Sequence, residues 1–306
     1  MFEPTKLNRR TFLGGLAAGA AATLLPGTAR AALPMPPITV FSKHLQFLDY
    51  DALAKTCREL GLDGVDLTVR RGGHVLPEKV ATDLPRAADA IRSEGLEVNM
   101  ITTRLASGDD PDARPILEAA GKLGIAYFRC GGHSYDPDGP PILDQLDAMV
   151  PQLRSLAALA EAYGMYGGYH NHSGYDNVGA PLWDLHYLFQ QVGSPHIGSN
   201  FDVGHATVEG AYGDWRITAK LLAPHVKMSA IKDFRWARTE PDWVPLGRGL
   251  VPVRGFYEIF HAAGWQGPVS LHFEYNPGGR DELLEDIARA VRRTRIELER
   301  AGYAEA

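Results

Sequence analysis

The stretch Met165 to Asn177, MYGGYHNHSGYDN, carries His170 and His172 two residues apart. In an extended strand that spacing puts both imidazoles on one face and turns Asn171 away. Two rings converging on one space can move a proton or hold a metal ion. Asp202, in Ser199-Asn200-Phe201-Asp202-Val203-Gly204-His205, and Glu274, in Leu271-His272-Phe273-Glu274-Tyr275, each end an apolar run. Carboxylates and imidazoles together form an oxygen and nitrogen set suited to a divalent ion such as Mn, Co, Zn, Fe or Mg. Such an ion polarises a carbonyl or holds two sugar oxygens, which lowers the cost of removing the adjacent C–H proton.

These residues must be gathered by the elements around them. From Ile38 onward, short apolar strand-like runs alternate with stretches of helical period. Strands are predicted at residues 38–42, 64–69, 96–102, 125–130, 165–171, 197–202, 226–232 and 268–274. Helices are predicted at residues 49–60, 84–94, 115–123, 145–162, 257–263 and 281–300, several ending at a Gly that suits a left-handed cap. Eight strand–helix units in one α/β chain of this size predict a single-domain (β/α)8 barrel. An open doubly wound sheet is the alternative, but no Gly-rich dinucleotide fingerprint follows the first strand. In a barrel, polar residues at the C-terminal strand ends gather at one mouth. Those ends carry Lys43 and His44, then Arg70 and Arg71, Thr102 to Arg104, and Arg129. The later ends carry His170 and His172, Asp202 with His205, Lys232 with Asp233, and His272 with Glu274. His74 and Glu78 belong to a second tier.

Residues 1–31 read as a targeting segment rather than fold. Asn8-Arg9-Arg10-Thr11-Phe12-Leu13 is a twin-arginine pattern, followed by an Ala/Gly-rich apolar run and the small-x-small site Ala29-Arg30-Ala31. The run from Leu13 to Leu25 is short for a membrane span. Cleavage after Ala31 would leave residues 32–306 as one periplasmic or secreted domain without stable membrane insertion. The net charge of -6 comes with no basic stripe, which argues against a nucleic-acid partner. Cys57 and Cys130 make no disulfide framework. Nothing in the sequence specifies an oligomeric state.

The chain resembles the xylose isomerase-like TIM barrels grouped as sugar phosphate isomerases and epimerases. The resemblance rests on the order and spacing of Glu59-Leu60-Gly61-Leu62-Asp63-Gly64-Val65-Asp66-Leu67, Tyr169-His170-Asn171-His172, Phe201-Asp202-Val203-Gly204-His205, Ile231-Lys232-Asp233, Gly247-Arg248-Gly249 and Phe273-Glu274. It implies a metal held by Glu, Asp, His and Glu from the fifth to eighth strands. Asp202 and Glu274 match two of these positions. His170 stands where the fifth-strand Glu is usual, and Ala230 stands where the seventh-strand His is usual. The resemblance thus implies His170, Asp202 and Glu274 as metal ligands, with His172 a further imidazole beside them. His205 matches a substrate-contacting position.

The family's isomerases and epimerases resemble a two-base design around an enediolate. Here Glu274 is the remaining carboxylate base, and His170, His172 or Lys232 would carry the second proton. His205, Asp176, Arg129 and His44 would orient substrate, and Trp236 and Trp243 would offer stacking surfaces. Export and the lack of a Gly-rich phosphate cradle point to an unphosphorylated sugar, keto-sugar or oxidised glycoside as the small-molecule carbohydrate partner. One base and one acid equally suit a lyase or dehydratase that eliminates from a keto-glycoside. From another class, a non-catalytic periplasmic sugar-binding protein would bind sugar without exchanging its protons.

Overall fold

Runs that are apolar on both faces can bury themselves only side by side under a layer of helices. The computed structural model describes residues 32–305 and shows that arrangement. Strands β1 (Ile38–Phe41), β2 (Gly64–Thr68), β3 (Glu97–Thr102), β4 (Tyr127–Cys130), β5 (Tyr166–His170), β6 (Ile197–Asp202), β7 (Val226–Ile231) and β8 (Val269–Leu271) pair in parallel, and β8 returns to β1 to close the barrel. Every residue of β2 and of β6 is buried. The expected eight strands are all present within a few residues of their predicted bounds. The targeting segment at residues 1–31 lies outside the described residues.

Helices α1 (Tyr50–Glu59), α2 (Val80–Ser93), α3 (Ala113–Lys122), α4 (Ile142–Ala162), α5 (Trp183–Val192), α6 (Val203–Glu209), α7 (Trp215–Leu222), α8 (Val253–Ala262) and α9 (Arg280–Arg300) lie between or after the strands. Several begin earlier than predicted. Pro85 and Pro151 sit inside α2 and α4, where apolar packing of the inner face outweighs the missing backbone donor. The glycines after the helices take the left-handed conformation as read from the sequence, for example Gly124 at φ +74° and Gly164 at φ +67°. No helix of the described residues is long and apolar enough to cross a membrane. Cys57 and Cys130 are buried free thiols, both pushed up to about 12 by burial.

Helices α5, α6 and α7 lie outside the predicted ranges, and so does a hairpin after β7, with Asp233–Ala237 antiparallel to Glu240–Val244. Asp233 fixes its base. Its Oδ1 accepts from the Phe234 and Val251 amides at 2.9 and 3.0 Å, and its Oδ2 accepts from the Gly247 and Gly249 amides at 2.9 Å. A Cβ at Gly249 would lie 2.2 Å from Asp233 Oδ1, so only glycine allows this clamp.

The barrel interior is polar. Asp66 of β2 is fully buried and accepts from Thr102 Oγ1 on β3 and Ser270 Oγ on β8, each at 2.7 Å. Burial pushes the Asp66 carboxyl from 3.8 up to about 6, outweighing the two hydroxyls and the more distant Arg129 and Arg70. A carboxyl with a raised folded pKa contributes stability below its unfolded pKa, and that contribution is lost as pH rises through the folded value. The window here is about pH 4 to 6, and two pKa units correspond to about 3 kcal/mol. Asp66→Asn should therefore gain about 3 kcal/mol relative to wild type on going from pH 4 to pH 8. Urea unfolding at the two pH values measures this; a difference independent of pH would refute the assignment.

Candidate active site

The site is assembled where β5 to β8 end. His170 closes β5 and is 2% exposed, and neither of its ring nitrogens has a hydrogen-bond partner. Asp202 closes β6 and is fully buried. Its Oδ1 accepts from the His205 amide at 2.8 Å, capping α6, and its Oδ2 is left facing the site. That Oδ2 lies 3.4 Å from His170 Nε2 and 3.3 Å from Lys232 Nζ. Asn171, turned away as the strand period requires, locks the two strand ends together. Its Oδ1 accepts from the Asp202 amide at 2.8 Å and its Nδ2 donates to the Asp202 carbonyl at 3.1 Å.

Lys232, 2% exposed after β7, is the hub of the charged part. Its Nζ is 2.6 Å from Glu274 Oε1 and 2.6 Å from His205 Nε2, and it stands 4.5 Å from the centre of the Trp243 ring. His205 has both nitrogens engaged, because its Nδ1 meets Ser173 Oγ at 2.8 Å. A lysine donates to Nε2, so Nδ1 carries the ring proton toward Ser173. The Glu274 side chain is 36% exposed, the open carboxylate of the group. Burial raises its pKa, but the charge and hydrogen bond of Lys232 reverse this and hold it below the ordinary value.

The imidazoles are held neutral. Burial is the largest cause at each, and it takes His170, His205 and His272 well below the ordinary value. His170 is lowered further by Arg129, and His205 and His272 by Lys232. His172 and His44 fall to about 4, again mainly by burial. Asp202 moves up to about 6 because burial outweighs the pull of Lys232. Arg129, half-buried on β4, is lowered to about 10 by burial and points Nη2 at His172 Nε2, 3.4 Å away.

Three expected site residues sit differently. His44 uses its Nε2 to accept from the Phe273 amide at 3.0 Å and packs edge-on against Phe273, so it braces the end of β8. Asp176 stands exposed on the loop after β5, where its carbonyl accepts from the Tyr135 amide. Trp236 is 39% exposed on the hairpin and meets Phe234, whereas Trp243 packs edge-on to His205 at 5.1 Å and so lines the site. The structure also adds His272, stacked between the Phe41 ring at 4.7 Å and the His170 ring at 5.4 Å with its Nε2 unpartnered. Its signal was in the sequence: His272 shares strand parity with Glu274, as His170 does with His172.

A divalent ion fits the donors. Among the described residues, two triads have ligand atoms within 4.8 Å of one another: His170, His172 and His205, and His170, Asp202 and His272. In the second, His170 and His272 keep unpartnered ring nitrogens, and Asp202 Oδ2 faces Lys232 Nζ at 3.3 Å. Glu274 belongs to neither triad.

The comparisons with known proteins agree with this architecture. The twin-arginine signal pattern matches residues 6–26, so the chain is exported by that route. No curated protein matches the chain. The structure is similar to the 3-keto-D-glucoside 4-epimerase of E. coli, with a TM-score of 0.67, 15% identity, and 84% of this chain and 99% of that one covered. It is similar to the probable 3-DHS dehydratase involved in petrobactin synthesis of Bacillus anthracis, with a TM-score of 0.66, 14% identity and coverage of 83% and 98%. It is also similar to a xylose isomerase-like barrel protein of Mycobacterium smegmatis in complex with magnesium, with a TM-score of 0.67, 18% identity and coverage of 87% and 97%. The family pattern described as "Xylose isomerase-like TIM barrel" matches residues 54–294, and the chain belongs to that family.

Proposed function

We propose that the protein is an exported sugar-modifying enzyme that removes a proton alpha to a carbonyl of an unphosphorylated sugar, keto-sugar or oxidised glycoside. The observation that carries this reading is the Glu274 carboxylate, open to the mouth, bonded at 2.6 Å to Lys232 above a floor of neutral imidazoles. A base and a cationic group are thereby presented side by side, the pair that enolate formation needs.

Glu274 takes the proton from the carbon next to the carbonyl, and the C–H electron pair moves to the carbonyl oxygen. Lys232 Nζ offsets the negative charge that develops there. Arg129 and His205 orient hydroxyl groups, and Trp243 offers its face to the ring. His172 or Lys232 returns a proton. Delivery to the same carbon from the opposite face gives an epimer; delivery to the former carbonyl carbon, with the hydroxyl proton of the alpha carbon passing to the enolate oxygen so that a new carbonyl forms there, gives the aldose–ketose isomer. His170, Asp202 and His272 would hold a divalent ion, which when bound supplies Lewis-acid polarisation of the substrate carbonyl.

A lyase reading shares the first half of this chemistry. If a glycosidic oxygen lies beta to the carbonyl, the enolate pair expels it and Lys232 protonates the leaving oxygen. Lys232 favours that possibility because it lies between the Glu274 base and the neutral His205, within 2.6 Å of each. Epimerase and dehydratase structures share this fold, which accommodates both outcomes.

Two outcomes are expected. Glu274→Gln should lower turnover of a 3-keto-glycoside or ketose by roughly 100- to 10,000-fold while leaving the circular dichroism spectrum unchanged. Full activity in that variant would remove Glu274 as the base. In D2O the wild-type protein should place solvent deuterium at the carbon alpha to the carbonyl, read by mass spectrometry of the recovered sugar. Sugar binding without exchange or product would mark a binding protein instead.

A further inference from the structure

We propose that the metal centre of this barrel is a two-imidazole, one-carboxylate site built from His170, Asp202 and His272, which selects zinc, cobalt or iron(II) over magnesium and manganese. The inference rests on the metal-assisted reading above and goes further by fixing the ligand set and the class of ion.

The donors are identified by what they lack. His170 Nδ1 and Nε2 and His272 Nε2 are buried with no hydrogen-bond partner, and Asp202 Oδ2 beside them meets Lys232 Nζ at 3.3 Å. A buried polar atom left without a partner costs about 1–3 kcal/mol, and here several lie within a few ångströms of one another. His170 Nε2 and Asp202 Oδ2 are 3.4 Å apart without forming a hydrogen bond. Two ligands bound at about 2.1 Å to one tetrahedral ion stand about 3.4 Å apart. The spacing is that of neighbours in a coordination sphere.

The competing donors are engaged elsewhere. His205 has a partner on each ring nitrogen, His172 Nε2 faces Arg129, and Glu274 Oε1 is held by Lys232. The rings of the chosen donors are held in place by stacking, with His272 packed between Phe41 and His170. On β7, Ala230 pairs in register with Asp202 and with Ser270, so at this level that strand contributes a methyl group and no donor. Three protein ligands with one position open is the arrangement of a catalytic rather than a structural metal site.

Ion class follows from donor class. Imidazole suits zinc, cobalt and iron, whereas magnesium requires an octahedral oxygen sphere. Lys232 Nζ shares Asp202 Oδ2 at 3.3 Å, which weakens the single carboxylate and leaves affinity resting on the two imidazoles.

The test uses the full mature chain, stripped with a chelator and titrated calorimetrically with zinc, cobalt, manganese or magnesium chloride. One zinc or cobalt should bind per chain at least about 100-fold more tightly than magnesium or manganese. Cobalt should give visible d–d absorption. His272→Ala should weaken zinc binding at least about tenfold, with folding checked by near-ultraviolet circular dichroism, while Glu274→Gln should stay within threefold of wild type, a bound set with the same principle in view. The ranking of ions in the wild-type protein needs no variant to fold. Equal or tighter binding of magnesium or manganese, no binding of any of the four ions, or loss of zinc in Glu274→Gln but not in His272→Ala would each overturn the proposal. Zinc binding with the expected ranking but no deuterium exchange on any sugar would sink the enzyme reading and leave the site standing. Exchange that persists in metal-free protein unable to bind zinc would do the reverse.

Discussion

The placement of Lys232 is the constraint on which the site depends. A lysine ammonium brought almost wholly out of water is stable only where several acceptors surround it. Here the acceptors come from different elements: Asp202 at the end of β6, His205 inside α6, and Glu274 beyond β8. Strands six, seven and eight are tied together at the mouth by one side chain. Taking one partner from a buried ion pair typically costs about 3–5 kcal/mol, because the remaining charge stays buried. The positive charge also keeps the surrounding imidazoles neutral, acting alongside their burial. Electrostatics and packing thus act in one direction, toward a mouth that holds neutral nitrogen donors, one open carboxylate and one ammonium.

Around this centre, carboxylates do two tasks at once. Asp202 gives one oxygen to the N-terminus of α6 and keeps the other for the site. One oxygen thus caps a helix and the other is turned toward the mouth. Asp233, the neighbour of Lys232, spends both oxygens on four backbone amides and is structural. By holding Gly247, Gly249 and Val251, it sets the base of the hairpin that carries Trp243 over Lys232 and His205. Adjacent residues in one short motif therefore divide the work, one inside the mouth and one supporting its wall.

Much of this was legible before folding. Alternating apolar runs and helical periods gave the barrel, because eight such units have few other ways to bury both faces of a parallel sheet. The two-residue period correctly separated His170 from Asn171. It was less informative where a residue's role depended on contacts from another strand. His272 was visible as a polar strand end, but its stacking between Phe41 and His170 joins β8, β1 and β5, a relation no spacing along the chain contains. His44 was read as a substrate-orienting residue, and its nitrogen serves the Phe273 amide, a contact between β1 and β8 that spacing does not show. Trp236 and Trp243 were equivalent in the sequence; the hairpin register puts both on the face of Phe234, and it is the place of Trp243 next to the base that brings it against His205 and Lys232.

The sequence by itself determined the export signal, the class of fold and the polar strand ends, because these depend on local composition and on periods of two and 3.6 residues. Tertiary structure decided which donors remain without partners. His205, Glu274, His170 and His272 are alike in the sequence as polar residues near strand ends. Folding gives the first two hydrogen bonds to Lys232 and leaves the nitrogens of His170 and Nε2 of His272 unsatisfied beside Asp202. The physical reason is that hydrogen-bond satisfaction is settled by distances across the barrel, between strands far apart along the chain, whereas residue type settles only what each group is able to donate or accept.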